Sequence, residues 1–127
     1  MQALHSFCRR LVLPGVAALL LAANAGHAQD AAVVNAKTVN VKLDTAQVRV
    51  LEAALPPGVQ EKLHSHPACV MYVIEGGKVR SHLAYGKVVE SELVAGQTMY
   101  REPTTHWTEN IGTTTIRLIL VELKEHP

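Results

Sequence analysis

His64-Ser65-His66-Pro67-Ala68-Cys69-Val70-Met71-Tyr72-Val73-Ile74-Glu75-Gly76-Gly77 holds two strand-like pieces, broken by a proline and closed by a glycine pair. In an extended strand successive side chains alternate faces, so His64 and His66 project to the same side, close enough to share one cation. Neutral imidazole is the commonest protein ligand for transition metals. A third donor within the fold comes from His106, in the later segment Thr104 to Asn110, where Thr104, His106, Thr108 and Asn110 share one polar face. A strand that keeps its polar residues and histidine on one side lines a pocket more readily than it packs into a core. The piece Cys69 to Glu75 is apolar on both faces, with Cys69, Met71 and Val73 on one and Val70, Tyr72 and Ile74 on the other. This marks a strand flanked by neighbours on both sides.

Working outward, the rest of the chain repeats the same period of two. Val39, Val41 and Leu43 alternate with Thr38, Asn40 and Lys42, and further strands are expected over Ala46 to Leu55, Val59 to His66, Lys78 to Tyr85, Lys87 to Val94, Gln97 to Arg101 and Thr114 to Leu123. Turn signals separate them: Pro56-Pro57-Gly58, Pro67, Gly76-Gly77, Gly86, Gly96, Pro103 and Gly112. On Val59 to His66, strict alternation sets Gln60, Lys62, His64 and His66 against Val59 and Leu63. Many short strands with glycine and proline between them, and no capped helical period, give an all-β sandwich or barrel.

The first 28 residues have the pattern of a secretory signal: Arg9 and Arg10, an apolar run from Leu11 to Ala23, and small residues up to Ala28, with cleavage expected before Gln29. The order Cys8-Arg9-Arg10-Leu11 leaves twin-arginine and general export both open. No later stretch reaches the ~18 apolar residues that a membrane span needs. The expected product is therefore periplasmic or secreted, with no membrane attachment after cleavage. Residues 29–37 read as a flexible linker and residues 38–124 as one β-barrel domain. Twelve Lys and Arg against eleven Asp and Glu give a formal net charge of +1 without a basic run, which argues against nucleic acid as a partner. Of the two cysteines, Cys8 belongs to the signal, leaving Cys69 without an internal disulfide partner.

These residues resemble the cupin superfamily, small double-stranded β-helix or jelly-roll barrels. The family's first motif runs glycine, His-x-His, a glutamate, glycine; its second is a glycine followed by Pro-x-Gly-x-x-His-x-x-x-Asn. Here Gly58, His64, His66 and Tyr72-Val73-Ile74-Glu75-Gly76 follow the first motif, and Gly96, Pro103, His106 and Asn110 the second. Two departures stand out. Cys69 occupies the place of the ligating glutamate, and the second motif lacks its internal glycine. The resemblance implies a three-histidine site for a divalent transition metal (iron, zinc, copper, nickel or manganese), made by His64, His66 and His106. Cys69 enters either as an added ligand or as a thiol beside the site.

Three protein ligands leave positions open for water or a small polar organic ligand. That fits a metal-dependent oxygenase, isomerase or lyase. It equally fits a ligand-binding or metal-binding sensory module without turnover, or a structural dimer with a vestigial site. Catalytic residues are not assigned. Glu102 and Glu109, flanking His106, are candidates for proton transfer or for solvated surface, and Arg101 either anchors a ligand carboxylate or pairs with Glu102, Glu109 or Glu92. Met71, Tyr72 and Trp107 read as packing residues, and His82 shares a face with Arg80. A barrel this small has edges to protect, so a homodimer is expected, with the alternating strand Val39 to Leu43 as a candidate edge.

Overall fold

The structure, a computed structural model, describes residues 29–125. The expected signal segment and His126 lie outside the described residues. Nine strands follow a one-turn helix α1 (Ala31–Val34): β1 (Val39–Asp44), β2 (Val48–Leu55), β3 (His64–His66), β4 (Cys69–Glu75), β5 (Gly77–Leu83), β6 (Val88–Leu93), β7 (Thr98–Arg101), β8 (Thr104–Asn110) and β9 (Ile116–Leu123). They form a five-stranded sheet in the order β1-β2-β9-β4-β7 and a four-stranded sheet in the order β3-β8-β5-β6. Every ladder within them is antiparallel. This is the expected all-β jelly-roll, with β1 at one edge of the larger sheet.

The alternation seen in the sequence becomes the division between core and surface. Leu51, Ala53 and Leu55 of β2, Cys69, Met71 and Val73 of β4, and Ile116 and Leu120 of β9 are buried between the sheets. Hydrophobic burial on this face holds the sheets together. The polypeptide changes sheets at the Gly76-Gly77 corner between β4 and β5. A Cβ on Gly76 would stand 2.1 Å from the Leu93 carbonyl oxygen, so only glycine fits the crossing.

Residues 29–37, expected as a linker, are instead built into the domain. Asp30 caps α1 by accepting from Ala32 N–H at 2.9 Å, forms a bridge with Ser65, and pairs with Arg49. Asn35 is buried, and its side chain is tied to both backbone groups of Lys62. A composition of small residues suggested mobility, but Asp30 and Asn35 find long-range partners that composition does not display.

The expected strand Val59 to His66 is also shortened to His64–His66. His64 pairs with His106, whereas Gln60 bridges Glu109. Four positions on one side thus face three on the other, the signature of a β-bulge, which reverses the alternation of side chains N-terminal to His64.

At the opposite end of β8, Asn110 closes the barrel corner. Its amide donates to the carbonyls of Leu55 and Thr114, both at 2.8 Å, and its Oδ1 accepts from Gly112 N–H at 2.9 Å. It is 2% exposed, so water cannot replace those bonds. Asn110→Ala is expected to cost ~2–4 kcal/mol of unfolding free energy, read as a drop in the urea midpoint with unchanged slope.

Candidate metal centre

The antiparallel register of β3 on β8 puts His64 directly opposite His106 and His66 opposite Thr104. All three imidazoles turn into the space between the sheets. Their ring centroids lie 4.8 Å apart for His64 with His66 and with His106, and 5.6 Å for His66 with His106. One ring nitrogen from each falls within 4.8 Å of the others.

Outer contacts orient two of the rings. Nδ1 of His64 lies 2.7 Å from the Lys62 carbonyl, which can only accept, and 3.0 Å from Asn35 Nδ2, which can only donate; the shorter contact favours a proton on Nδ1 and a lone pair on Nε2. Nδ1 of His66 lies 2.7 Å from Oε1 of Glu122, again leaving Nε2 as the available donor. Glu122 is itself held by Arg49, whose Nε donates to Oε2 at 2.8 Å, and Arg49 continues to Asp30. Burial works against the Glu122 charge, but the hydrogen bonds from His66 and Arg49 outweigh it and hold the carboxyl below its ordinary value. An imidazole bonded through one nitrogen to a carboxylate or carbonyl, with the other nitrogen presented inward, is the arrangement in which histidine ligates metal.

His106 differs. Both ring nitrogens are buried without any hydrogen-bond partner. Burial, together with the neighbouring His64 and His66, pushes its pKa down to about 3, and burial lowers that of His64 as well. The ring is neutral at physiological pH and carries an unused lone pair. A buried polar atom without a partner is costly, and a cation shared with His64 and His66 would remove that cost. The donor set therefore fits a divalent transition metal.

The centre lies in the wall of a cavity of about 90 Å³, several times the ~10–15 Å³ that a single buried water needs. Its two sides differ. The smaller sheet and the segment before it contribute Glu61, Ser81, Thr104 and Thr108 beside the histidines; the larger sheet contributes Ala53, Leu55, Met71, Leu118 and Leu120.

Of the other residues singled out from sequence, Cys69 lines this cavity at 2% exposure but is not among the close-set nitrogen donors. Burial, reinforced by Glu122, pushes its thiol up, opposing thiolate formation in the metal-free protein. Arg101 and Glu102 also line the cavity, and Arg101 forms no ion pair among the described residues. Glu109 faces outward, where hydrogen bonds from Gln60, His82 and Arg80 hold its pKa down at about 2. His82 stacks on Trp107 outside the cavity, with centroids 3.6 Å apart and rings 4° from parallel. Glu61, Glu122 and Asn35 went unrecognised in the sequence. Glu61 was hidden by the bulge, and the other two act through contacts too distant along the chain for any local spacing to signal.

No family model matches the chain, and a comparison with curated proteins found no match. Solved structures do match. A cupin domain from Bordetella pertussis Tohama I superposes with a TM-score of 0.63 at 27% identity, over 68% of this chain and 92% of that one. A double-stranded β-helix protein from Klebsiella pneumoniae, described as uncharacterized, gives 0.52 at 24% identity over 66% and 73%. An RmlC-like cupin from Methanocaldococcus jannaschii gives 0.53 at 20% identity over 68% and 81%. The last two bear on the fold alone.

The lowered pKa values of His106 and His64 set a pH dependence. The unfolded chain takes a proton at each near 6.5, while folded His106 does so only near 3. Between those values the unfolded state binds more protons, so stability falls as pH drops. Metal-free protein is expected to lose stability steadily from pH 6.5 downward in urea titrations. His106→Leu, which has no proton to take at that position, is expected to show a shallower loss.

Proposed function

The chain is a member of the cupin superfamily, and from that premise we propose that it is a metal-binding cupin taking a small organic ligand at a centre formed by His64, His66 and His106. The observation that carries this reading is the unpartnered, neutral, buried imidazole of His106 beside two rings whose tautomers present a lone pair inward. Three neutral donors leave room for exchangeable ligands, and a bound divalent ion there supplies Lewis acidity toward a ligand oxygen or nitrogen. The chain's own residues do the rest. Lys62 and Glu122 hold two rings in place, the apolar side accommodates carbon, the hydroxyl-bearing side accommodates polar groups, and unpaired Arg101 suits an anionic substituent. Oxygenase, isomerase and lyase chemistry all fit such a centre. Cys69 is carried in this reading as a thiol beside the metal that can be drawn into ligation.

The reading includes export, as the pattern of residues 1–28 implies, and pairing into a homodimer. Across the outer face of the larger sheet, Leu43, Val50, Val121, Val70 and Tyr100 lie in register as one apolar row. Leu43 is 50% and Tyr100 57% exposed. Such a row supports a two-fold contact, in which the same stripe serves both copies.

Two measurements test these statements. Elemental analysis of purified protein is expected to give about one transition metal per chain, and His64→Ala combined with His106→Ala is expected to abolish it; unchanged metal content in the double variant would falsify the centre. Sedimentation is expected to return twice the chain mass, and Val121→Glu to shift the protein toward monomer. A monomeric wild type at working concentration removes the pairing from the proposal.

A further inference from the structure

The cavity holds a carboxyl that the three-imidazole centre does not use. Glu61 sits in the irregular stretch before β3, and its backbone N–H donates to the Thr108 carbonyl at 2.8 Å. Thr108 lies two positions beyond His106 on the same cavity-facing side of β8. The bulge between Gln60 and His64 turns Glu61 into that cavity, beside Thr108 and Ser81. Among the described residues its carboxyl has neither a hydrogen bond nor an ion pair, whereas Glu52, Glu109 and Glu122 are all paired. Burial alone raises its pKa to about 7. The other titratable or charged groups facing the cavity are His64 and His66 of β3, Cys69 of β4, Arg101 of β7, Glu102 after it and His106 of β8.

A half-buried carboxyl inside a cavity and without a structural partner is costly to keep, which is the condition under which such groups serve chemistry. The donor set, for its part, carries no negative charge, and the Glu122 carboxylate behind His66 is paired with Arg49. The three imidazoles are neutral donors, and the place where a carboxylate would be expected holds the Cys69 thiol. Glu61 lines the same cavity but is not one of the close-set donors, so any contact it makes with a bound cation runs through an intervening group.

We propose that Glu61 supplies the counter-charge and proton acceptor of this centre: its carboxylate accepts a hydrogen bond from the water, or the hydroxyl of a bound organic ligand, that completes a divalent cation's coordination, and takes that group's proton. This rests on the metal-centre reading above. In the step, the O–H bond breaks, its electron pair stays on the oxygen, and the proton moves to a Glu61 carboxylate oxygen, returning when the ligand leaves. The favoured ligands are small hydroxyl compounds that ionise on binding and carry an apolar part for the side lined by Leu118 and Leu120.

Cobalt(II) alone serves as the probe. Metal-stripped wild type, Glu61→Gln and the surface control Glu92→Gln are titrated with Co2+, and the visible spectrum is followed from pH 6 to 9. Wild type and control are expected to bind one Co2+ per chain and to show one ionisation. Glu61→Gln is isosteric, removes an unpaired half-buried acid and is expected to retain the far-UV spectrum. It is expected to bind Co2+ about 10-fold more weakly, with the ionisation raised by about one pH unit or more. Wild-type affinity and pH profile in Glu61→Gln, or a wild-type spectrum flat across the range, overturns the role of Glu61 and leaves the imidazole centre standing. A wild type that takes up no Co2+ overturns the centre itself, and this inference with it.

Discussion

The register of β3 against β8 sets His64 opposite His106 and leaves His66 two residues further along the same face. A slip of one residue would send His64 and His66 to the outer surface, because the side-chain period of a strand is two. Three residues make a short ladder, and the register is held from outside it. Asn35 fastens the Lys62 backbone, Ser65 meets Asp30, and Glu122 grips His66 from the other sheet. The run from Asp30 through Arg49 and Glu122 to His66 therefore joins the N-terminal segment, both sheets and the metal-facing ring in one line of charge-assisted bonds. Placing one imidazole depends on residues spread across most of the domain.

The cavity between the sheets inherits its character from that arrangement. The larger sheet turns alternating aliphatic residues inward and behaves as the packed half of a sandwich. The smaller sheet turns histidines and hydroxyls inward along β3, β5 and β8. Its inner face is partly polar, and that is tolerable only where the polar atoms have partners. Ser65 and Thr105, on the other face of the same ladder, satisfy each other at 2.6 Å. His106 has no such partner. The contrast separates polar residues that serve the fold from a residue whose surroundings suit a bound ion.

Much of this could be read from the chain before any coordinates. The period of two gave the strands and the inward face of β4, with Cys69, Met71 and Val73 buried together. The spacing of His106 to Asn110 marked the strand that completes the triad. What escaped was of two kinds. Glu61 was passed over because a single extra residue before His64 inverts the alternation, and a bulge leaves no mark in a sequence read for parity alone. Asn35, Arg49 and Glu122 act across separations that only the closed sheets define. The stretch 29–37 was misread for the same reason: its alanines and valines suggest a tether, while Asp30 and Asn35 find their partners far along the chain.

Trp107 is the sole tryptophan of the sequence. Its indole lies outside the barrel against His82, while the adjacent residue on β8, His106, points inward to the triad. One peptide unit therefore separates an outward indole from an inward imidazole, so the emission of this sole tryptophan is a label-free signal placed beside the triad.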